Sequence, residues 1–307
     1  MRILVTGITG AIGSRLAPRL LDAGHEVSAL TRRRDDRALA QAPAGLHLHT
    51  GDALSGIGLP EALDGVEVAY YLIHSMEPAS EEHFGVRERR AADNFANAAL
   101  AAGVTRIVYL GGLVPDGSPS EHLASRLEVE RVLMEAVPDS VALRSSIVIG
   151  ARSRSFRFLV RLVERMPVMI IPAWGQHRTA PIDERDVLTC LTAAADAPVL
   201  GGRSVDLAGP DVVTYQELIE RIRDHLLLHR PALQLRLTLT PIASRVSAVI
   251  AGEEHALIGP LMAGLETDLL PRAELATDLL RVRPHTLDAA IERALRDWEL
   301  TEQLPGR

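Results

Sequence analysis

Through the first half of the chain, short runs of β-branched and aliphatic residues alternate with longer stretches whose apolar positions recur at helical spacing. This is the pattern of strand–helix units that feed a parallel sheet. Six strands are predicted, at Arg2–Thr6, Glu26–Thr31, Leu46–Thr50, Glu67–Ile73, Arg106–Leu110 and Ser140–Arg144. Helices are predicted to start near Ala11, Asp36, Pro60, Glu81 and Ser120. Gly24 and Gly103 stand just past the last apolar position of two of them, where a helix commonly ends. Beyond Gly150 the alternation becomes irregular, with an arginine-rich helix over Ser155–Arg165, a proline-rich stretch over Pro167–Pro181 and a helix from Asp183. After Pro210 helical period dominates in Tyr215–His229, Pro241–Ile250, His255–Leu265 and Thr286–Trp298, and Leu233–Leu239 reads as a remaining strand. Two regions follow: 1–150, and a smaller, mainly helical lobe over 151–307 that packs on the sheet and sends some segments back to it.

The first strand runs directly into Thr6-Gly7-Ile8-Thr9-Gly10-Ala11-Ile12-Gly13, and a helix follows. In that context each glycine has its own use. Gly7 permits the tight turn, Gly10 lets the backbone approach a pyrophosphate, and Gly13 lets the helix pack close to the strand, while the helix start offers unpaired N–H groups. The spacing is Gly-x-x-Gly-x-x-Gly, so the strand before it and the helix after it carry the specificity; a turn without ligand is the alternative. The fold read from this is α/β, a Rossmann-type doubly wound parallel sheet. Gly7, Thr9, Gly10, Ala11, Ile12 and Gly13 form its phosphate loop.

The end of the second strand separates the two nicotinamide cofactors, because an acid there bonds the adenosine ribose and repels a 2′-phosphate. Here it reads Leu30-Thr31-Arg32-Arg33-Arg34. Arg32 suits the bidentate contact that phosphate prefers, which makes NADP(H) the expected cofactor, held there by Thr31 and Arg32. The alternative is a solvated arginine loop with Asp35 or Asp36 on a ribose hydroxyl. Asp52 and Ala53 follow the third strand, where an adenine amine can be accepted, although Asp52 also suits a plain turn. Leu72, Ile73 and His74 end the fourth strand with Ser75 and Met76 beyond, where ligands meet an open sheet. Packing under the cofactor is the alternative for His74 and Ser75.

Composition narrows the chemistry. A chain of 307 residues, 47% hydrophobic and 24% charged, can bury a large core and needs no oligomer for stability. Its net charge of −7 argues against a nucleic-acid partner. No apolar run approaches the roughly 18 residues that cross a bilayer, and no leader pattern follows Met1, so the expected location is cytoplasmic, with a small-molecule partner and no membrane. The single cysteine, Cys190, reads as a buried apolar residue, which excludes a disulfide framework and a cysteine zinc site; no metal is expected. All 33 basic residues are arginine. Without lysine, a Schiff base, a Walker A phosphate contact and a Tyr-x-x-x-Lys pair are all impossible.

Further segments complete a resemblance. They are Tyr70-Tyr71-Leu72-Ile73-His74-Ser75-Met76, Ala92-Asp93-Asn94-Phe95, Arg106-Ile107-Val108-Tyr109-Leu110-Gly111-Gly112-Leu113, Glu121 to Val129, Leu143 to Gly150, Met166 to Met169 and Gly209-Pro210-Asp211. Together with the glycine motif, they resemble the atypical short-chain dehydrogenase/reductases. The branch they resemble is the NmrA-like NAD(P)H-binding proteins, and the Tyr-Leu-Ile-His-Ser-Met segment is similar to that of a bacterial subgroup. In ordinary members of that superfamily, a serine after the fifth strand and a Tyr-x-x-x-Lys pair on the next helix carry proton transfer. Here the serine position falls in Gly111-Gly112, and the helix offers His122 and Arg126 at the same spacing. None of the four tyrosines, 70, 71, 109 and 215, has a serviceable basic residue four later; Tyr70 and His74 share a strand.

Spacing i to i+4 puts His122 and Arg126 on one helix face. Arg126 then stands in for lysine on the nicotinamide ribose, and His122 or His74 is the candidate proton donor. A surface or capping role is the alternative for His122. The resemblance also implies that Trp174, Gln176 and His177 line the substrate cleft. Arg154, Arg157, Arg161 and Arg165 form a helical stripe suited either to an acidic substrate or to solvent. Two functions follow. One is an NADPH-dependent reductase of a small, largely apolar enone, quinone, imine or carbonyl. The other is a non-catalytic NADP(H)-binding redox sensor or assembly protein, which the missing tyrosine and lysine permit.

Overall fold

The computed structural model describes residues 1–33, 42–73, 84–234, 265 and 267–304. Its first strand, β1 (Arg2–Val5), sends Ile3 and Val5 into one hydrophobic cluster and Leu4 into another. All three are at most 1% exposed, so this strand lies between two layers. Its companions are β2 (Glu26–Thr31), β3 (His47–Thr50), β4 (Val68–Tyr71), β5 (Arg106–Gly112), β6 (Val141–Ser145) and β7 (Arg203–Leu207). They form one sheet in the order β7-β6-β5-β4-β1-β2-β3, every pairing parallel. Helices α1 (Gly13–Asp22) and α6 (Glu184–Ala193) cover one face. Helices α2 (Leu59–Leu63), α3 (Phe84–Ala101) and α4 (Glu121–Ala136) cover the other. This is a Rossmann-type doubly wound fold. The chain winds outward from β1 to β3, then returns to β4 and winds the other way, which opens a crevice between the C-terminal ends of β1 and β4.

All six expected strands are present, with no end shifted by more than two residues. The seventh, β7, escaped the sequence pattern because it is an edge strand that carries Arg203, Ser204 and Asp206 among two apolar residues. Asp206 is only 2% exposed, and its Oδ2 accepts the backbone N–H groups of Arg272 and Ala273 at 2.6 and 2.8 Å. Both β7 and α6 come from beyond Gly150, and Tyr70 Oη fixes α6 to the sheet by donating to Leu191 C=O at 2.7 Å. Cys190 is buried within α6, and burial pushes its thiol up to about 12. The helix start expected near Asp36 and the segments 241–250 and 255–264 lie outside the described residues. Of the strand expected at Leu233–Leu239, the described part runs over Ala232–Gln234, parallel to Met169–Ile171.

The remaining helices, α5 (Arg154–Arg165), α7 (Tyr215–His225), the short α8 (Ala276–Leu279) and α9 (Leu287–Glu299), follow β6 in the chain; α5, α7 and α9 surround a third apolar cluster. In the arginine stripe of α5, Arg154 and Arg165 are exposed, as a solvated face has them, whereas the middle two are not. Arg157 and Arg161 lie over the Trp298 ring, 4.1 and 4.8 Å from its centroid, and Arg161 also pairs with Glu164 at 2.6 Å and with Glu302. Arg157 and Arg161 thus hold the end of α9 by cation–π and ionic contacts. Helix α7 starts with a capping box, in which Thr214 Oγ1 accepts Glu217 N–H at 3.1 Å and Glu217 Oε2 accepts Thr214 N–H at 2.7 Å. Thr214→Ala is expected to cost about 1 kcal/mol, read as a fall in Tm of about 2–4 °C in a thermal melt. Among the described residues, no helix is long and apolar enough to cross a membrane.

Candidate active site

The glycine loop is built against the end of β4. Thr6 N–H and Oγ1 both donate to Tyr70 C=O, at 3.0 and 2.9 Å, and Thr6 Oγ1 accepts Leu72 N–H at 3.0 Å. Thr6 therefore bolts the loop to the crevice, a role its place in the motif did not disclose. Gly7 has φ +66°, and a Cβ there would stand 2.5 Å from Leu72 O. A Cβ at Gly13 would stand 2.3 Å from Gly7 O, so the start of α1 rests directly on the turn. Thr9 and Gly10 are exposed, Ala11 and Ile12 half-buried. Ser14 N–H bonds back to Gly10 C=O at 3.2 Å, which leaves the preceding N–H groups at the helix start aimed out of the first turn.

The next two strand ends lie beside this loop. Thr31 is buried, and its Oγ1 donates to Arg33 C=O at 2.9 Å, which turns the chain so that Arg32 is exposed. Asp52 closes an Asx turn, with Oδ1 accepting Leu54 N–H at 2.9 Å. Asn94 Nδ2 on α3 donates to Ala53 C=O and Leu54 C=O, both at 3.0 Å, and so holds the segment after β3 in place. Sequence reading quoted Asn94 without giving it a role. Its signal was an asparagine inside a helix, where that side chain is unfavourable unless it makes bonds elsewhere. Leu72 and Ile73 follow β4, both half-buried. The structure thus gathers the ends of β4, β1, β2 and β3 along one edge of the sheet, while His74, Ser75 and Met76 lie outside the described residues.

On the other side of the crevice, α4 leans on β5. Arg126 Nη2 donates to Leu110 C=O at 2.8 Å, and Tyr109 Oη donates to Arg126 C=O at 3.2 Å. Burial pushes the Tyr109 phenol up to about 12, so it stays a protonated donor under the helix. A Cβ at Gly112 would stand 3.1 Å from Leu123 Cδ2 and 3.8 Å from Arg126 Nε, so the glycine at the serine position makes room for α4. His122, half-buried one turn before Arg126, has its ring 5.7 Å from that of Phe84. Ser120 caps the helix, its Oγ accepting Leu123 N–H at 3.4 Å. The stripe continues to Glu130, which is 6% exposed. Glu130 accepts Arg144 at 2.5, 3.0 and 3.2 Å and Ser204 Oγ at 2.7 Å, tying α4 to β6 and β7. Sequence reading missed this pair, although its signal was present: Glu130 continues the i, i+4 series from His122 and Arg126.

The lobe residues are arranged differently from one another. Trp174 is 4% exposed and packs edge-on to Tyr215, with centroids 6.3 Å apart, inside the lobe's apolar cluster. Gln176 Nε2 donates to Gln216 Oε1 at 3.0 Å, and His177 Nδ1 lies 3.6 Å from Asp268 Oδ1, both near the surface.

The sequence profile of the NmrA-like family matches residues 1–219. The chain belongs to that family. Among its relatives is a Streptomyces griseus protein named (4-alkanoyl-5-oxo-2,5-dihydrofuran-3-yl)methyl phosphate reductase, 28% identical over 220 residues that make up 70% of each chain. Among solved structures, gox2253 superposes with a TM-score of 0.75 at 21% identity over 99% of both chains. A short-chain dehydrogenase/reductase superfamily protein from Agrobacterium tumefaciens, solved with bound NAD, gives 0.66 at 18% identity over 98% of both. At these identities the structural likeness is one of fold, and it extends beyond the stretch that the family profile matches. The NmrA-like assignment agrees with the doubly wound sheet and the crevice between β1 and β4.

Proposed function

We propose that this NmrA-like protein is an NADPH-dependent reductase of a small, largely apolar substrate with a carbonyl-conjugated double bond, an enone or quinone before a simple carbonyl or imine. The observation that carries this reading is the glycine cradle beside β4 together with an arginine, not an acid, after β2. Gly7, Thr9, Gly10, Ala11, Ile12 and Gly13 would hold the pyrophosphate, Thr31 and Arg32 the 2′-phosphate, Asp52 and Ala53 the adenine, and Leu72, Ile73 and Arg126 the nicotinamide riboside. When bound there, the cofactor would supply a hydride. Arg126 would hold ribose hydroxyls with its fork of N–H donors, while His122 would deliver a proton to the reduced substrate. The relative named as a reductase of an oxo-dihydrofuran phosphate supports reduction as the reaction type.

The test is direct. Pure protein incubated with NADPH and a panel of enones and quinones should consume NADPH with at least one of them, followed by nicotinamide absorbance. Tight cofactor binding with no oxidation across the panel would favour the non-catalytic sensor that the missing Tyr/Lys pair permits. NADP(H) is expected to bind at least about tenfold more tightly than NAD(H), about 1.4 kcal/mol, a modest difference for a charge-assisted phosphate contact. Arg32→Ala should erase most of that preference and leave NAD(H) affinity nearly unchanged. Equal affinities of the wild type for both cofactors, measured by calorimetry, would overturn the assignment.

A further inference from the structure

The first turn of α1 collects positive charge and has no acid of its own. Ile12 precedes the helix without a side-chain cap, and no acidic residue stands in the first turn. The unpaired N–H groups there carry a partial positive charge. Two arginines are nevertheless set against it. Arg15 lies within the turn, and its Nη1 meets Glu184 Oε2 at 2.7 Å. The second, Arg152, comes from beyond Gly150. Its Nη1 donates to Ser14 Oγ at 3.0 Å, and Ser14 Oγ donates in turn to Ala11 C=O at 3.4 Å, which ties the guanidinium to the glycine loop itself.

Local structure fixes that placement. After the short strand Val148–Ile149 the chain turns, with Ser153 N–H donating to Gly150 C=O at 3.0 Å and Ser153 Oγ accepting Phe156 N–H at 3.4 Å to cap α5. Ala151 enters the apolar cluster of the lobe, and Arg152 beside it is exposed. A Cβ at Gly150 would stand 2.9 Å from Glu184 Cδ, so the turn rests on the carboxylate that holds Arg15. Glu184 feels the charge of Arg152 at longer range but is paired with Arg15. Among the described residues, no carboxylate forms an ion pair with Arg152.

A cation beside a helix N-terminus is repelled by it, whereas an anion between the two is held by both. Arg152 spends one N–H on Ser14 and keeps the rest of its fork, whose geometry matches phosphate oxygens. We infer, on the dinucleotide reading of the crevice, that Arg152 is a further cofactor-binding residue, closing on the pyrophosphate from the lobe while the glycine loop holds it from the sheet. The pyrophosphate is common to NADPH and NADH. Arg152 therefore sets the affinity for either cofactor, and Arg32 the choice between them.

The experiment is calorimetry on the full chain, wild type and Arg152→Gln, at one ionic strength, with NADPH, NADH, ADP-ribose and 2′-AMP. The first three carry the pyrophosphate; the last carries the 2′-phosphate without it. Arg152→Gln should weaken NADPH, NADH and ADP-ribose at least about tenfold each, by factors that agree within about threefold, and leave 2′-AMP within about twofold. Since Arg152 is exposed, the Tm of the unliganded variant should move by no more than about 2 °C. Arg152→Lys keeps the charge without the fork and should lose less affinity than Arg152→Gln. Unchanged affinity for ADP-ribose in Arg152→Gln overturns the inference. So does a loss confined to NADPH, which would put the 2′-phosphate on this arginine, or an equal loss for 2′-AMP, which would mean a general disturbance of the site. Failure of the reductase reading has a different signature. A wild type that binds NADPH and ADP-ribose but oxidises NADPH with no substrate leaves the Arg152 result standing, whereas a wild type that binds none of the four removes the dinucleotide site and the Arg152 contact together.

Discussion

Replacing His122 with alanine is expected to lower turnover roughly 10²–10⁴-fold, the range for loss of a general acid, with cofactor affinity changed less than about threefold. His122 and Arg126 share one face of α4, and Arg126 is fixed at the C-terminal end of β5 by its bond to Leu110 C=O. One turn earlier, His122 is half-buried against Phe84 and stands toward the crevice end of the helix. No tyrosine offers an alternative acid among the described residues on this side. Tyr109, the nearest, is spent on Arg126 C=O and held protonated by burial. Arg126→Ala should behave differently from His122→Ala. It should weaken NADPH binding as well as turnover, because the proposed ribose contact and the Leu110 bond are lost together. The measurement is steady-state kinetics on any substrate that the wild type accepts, beside calorimetric cofactor affinity. A loss below about tenfold in His122→Ala would demote the histidine to a packing residue and shift attention to His74, Ser75 or ordered water.

How much of this was legible beforehand depended on the range of the interactions involved. The strand–helix rhythm and the glycine motif are local patterns, so the fold, the switch point and the cradle could be read from residues near in sequence. Strand β7 could not, because an edge strand with a buried Asp206 is defined by partners from Arg272 and Ala273, far along the chain. Asn94 is of the same kind, since its bonds reach back forty residues to the segment after β3. The arginines of α5 read first as a solvated face, and the place of Arg157 and Arg161 over Trp298 depends on a ring far along the chain. The packing of Trp174 is also set from far along the chain, by Tyr215 within the apolar cluster of the lobe.

Gly13→Ala is expected to reduce NADPH affinity at least about 100-fold, about 2.8 kcal/mol, and to destabilise the fold by about 1–3 kcal/mol as an overpacking change. Both effects come from one contact. The added methyl would meet Gly7 O at 2.3 Å, and that atom is backbone in a turn held by Thr6 on Tyr70 and Leu72, so no side-chain rotation can relieve it. Helix α1 must then move off the turn and carry its N–H groups away from the pyrophosphate position. Gly10→Ala separates the two effects. Its methyl would meet only Gly7 O, at 3.1 Å, among the described residues, and Gly10 is exposed, so Tm should change little. Its place in the loop, however, is where the proposed pyrophosphate approaches the backbone most closely, so affinity should still fall at least about tenfold. The check is calorimetric titration with NADPH beside a thermal melt for each variant. If folded Gly10→Ala binds NADPH as tightly as the wild type, the phosphate does not sit on this loop; if Gly13→Ala alone loses affinity, the glycine spacing serves helix packing and not ligand approach.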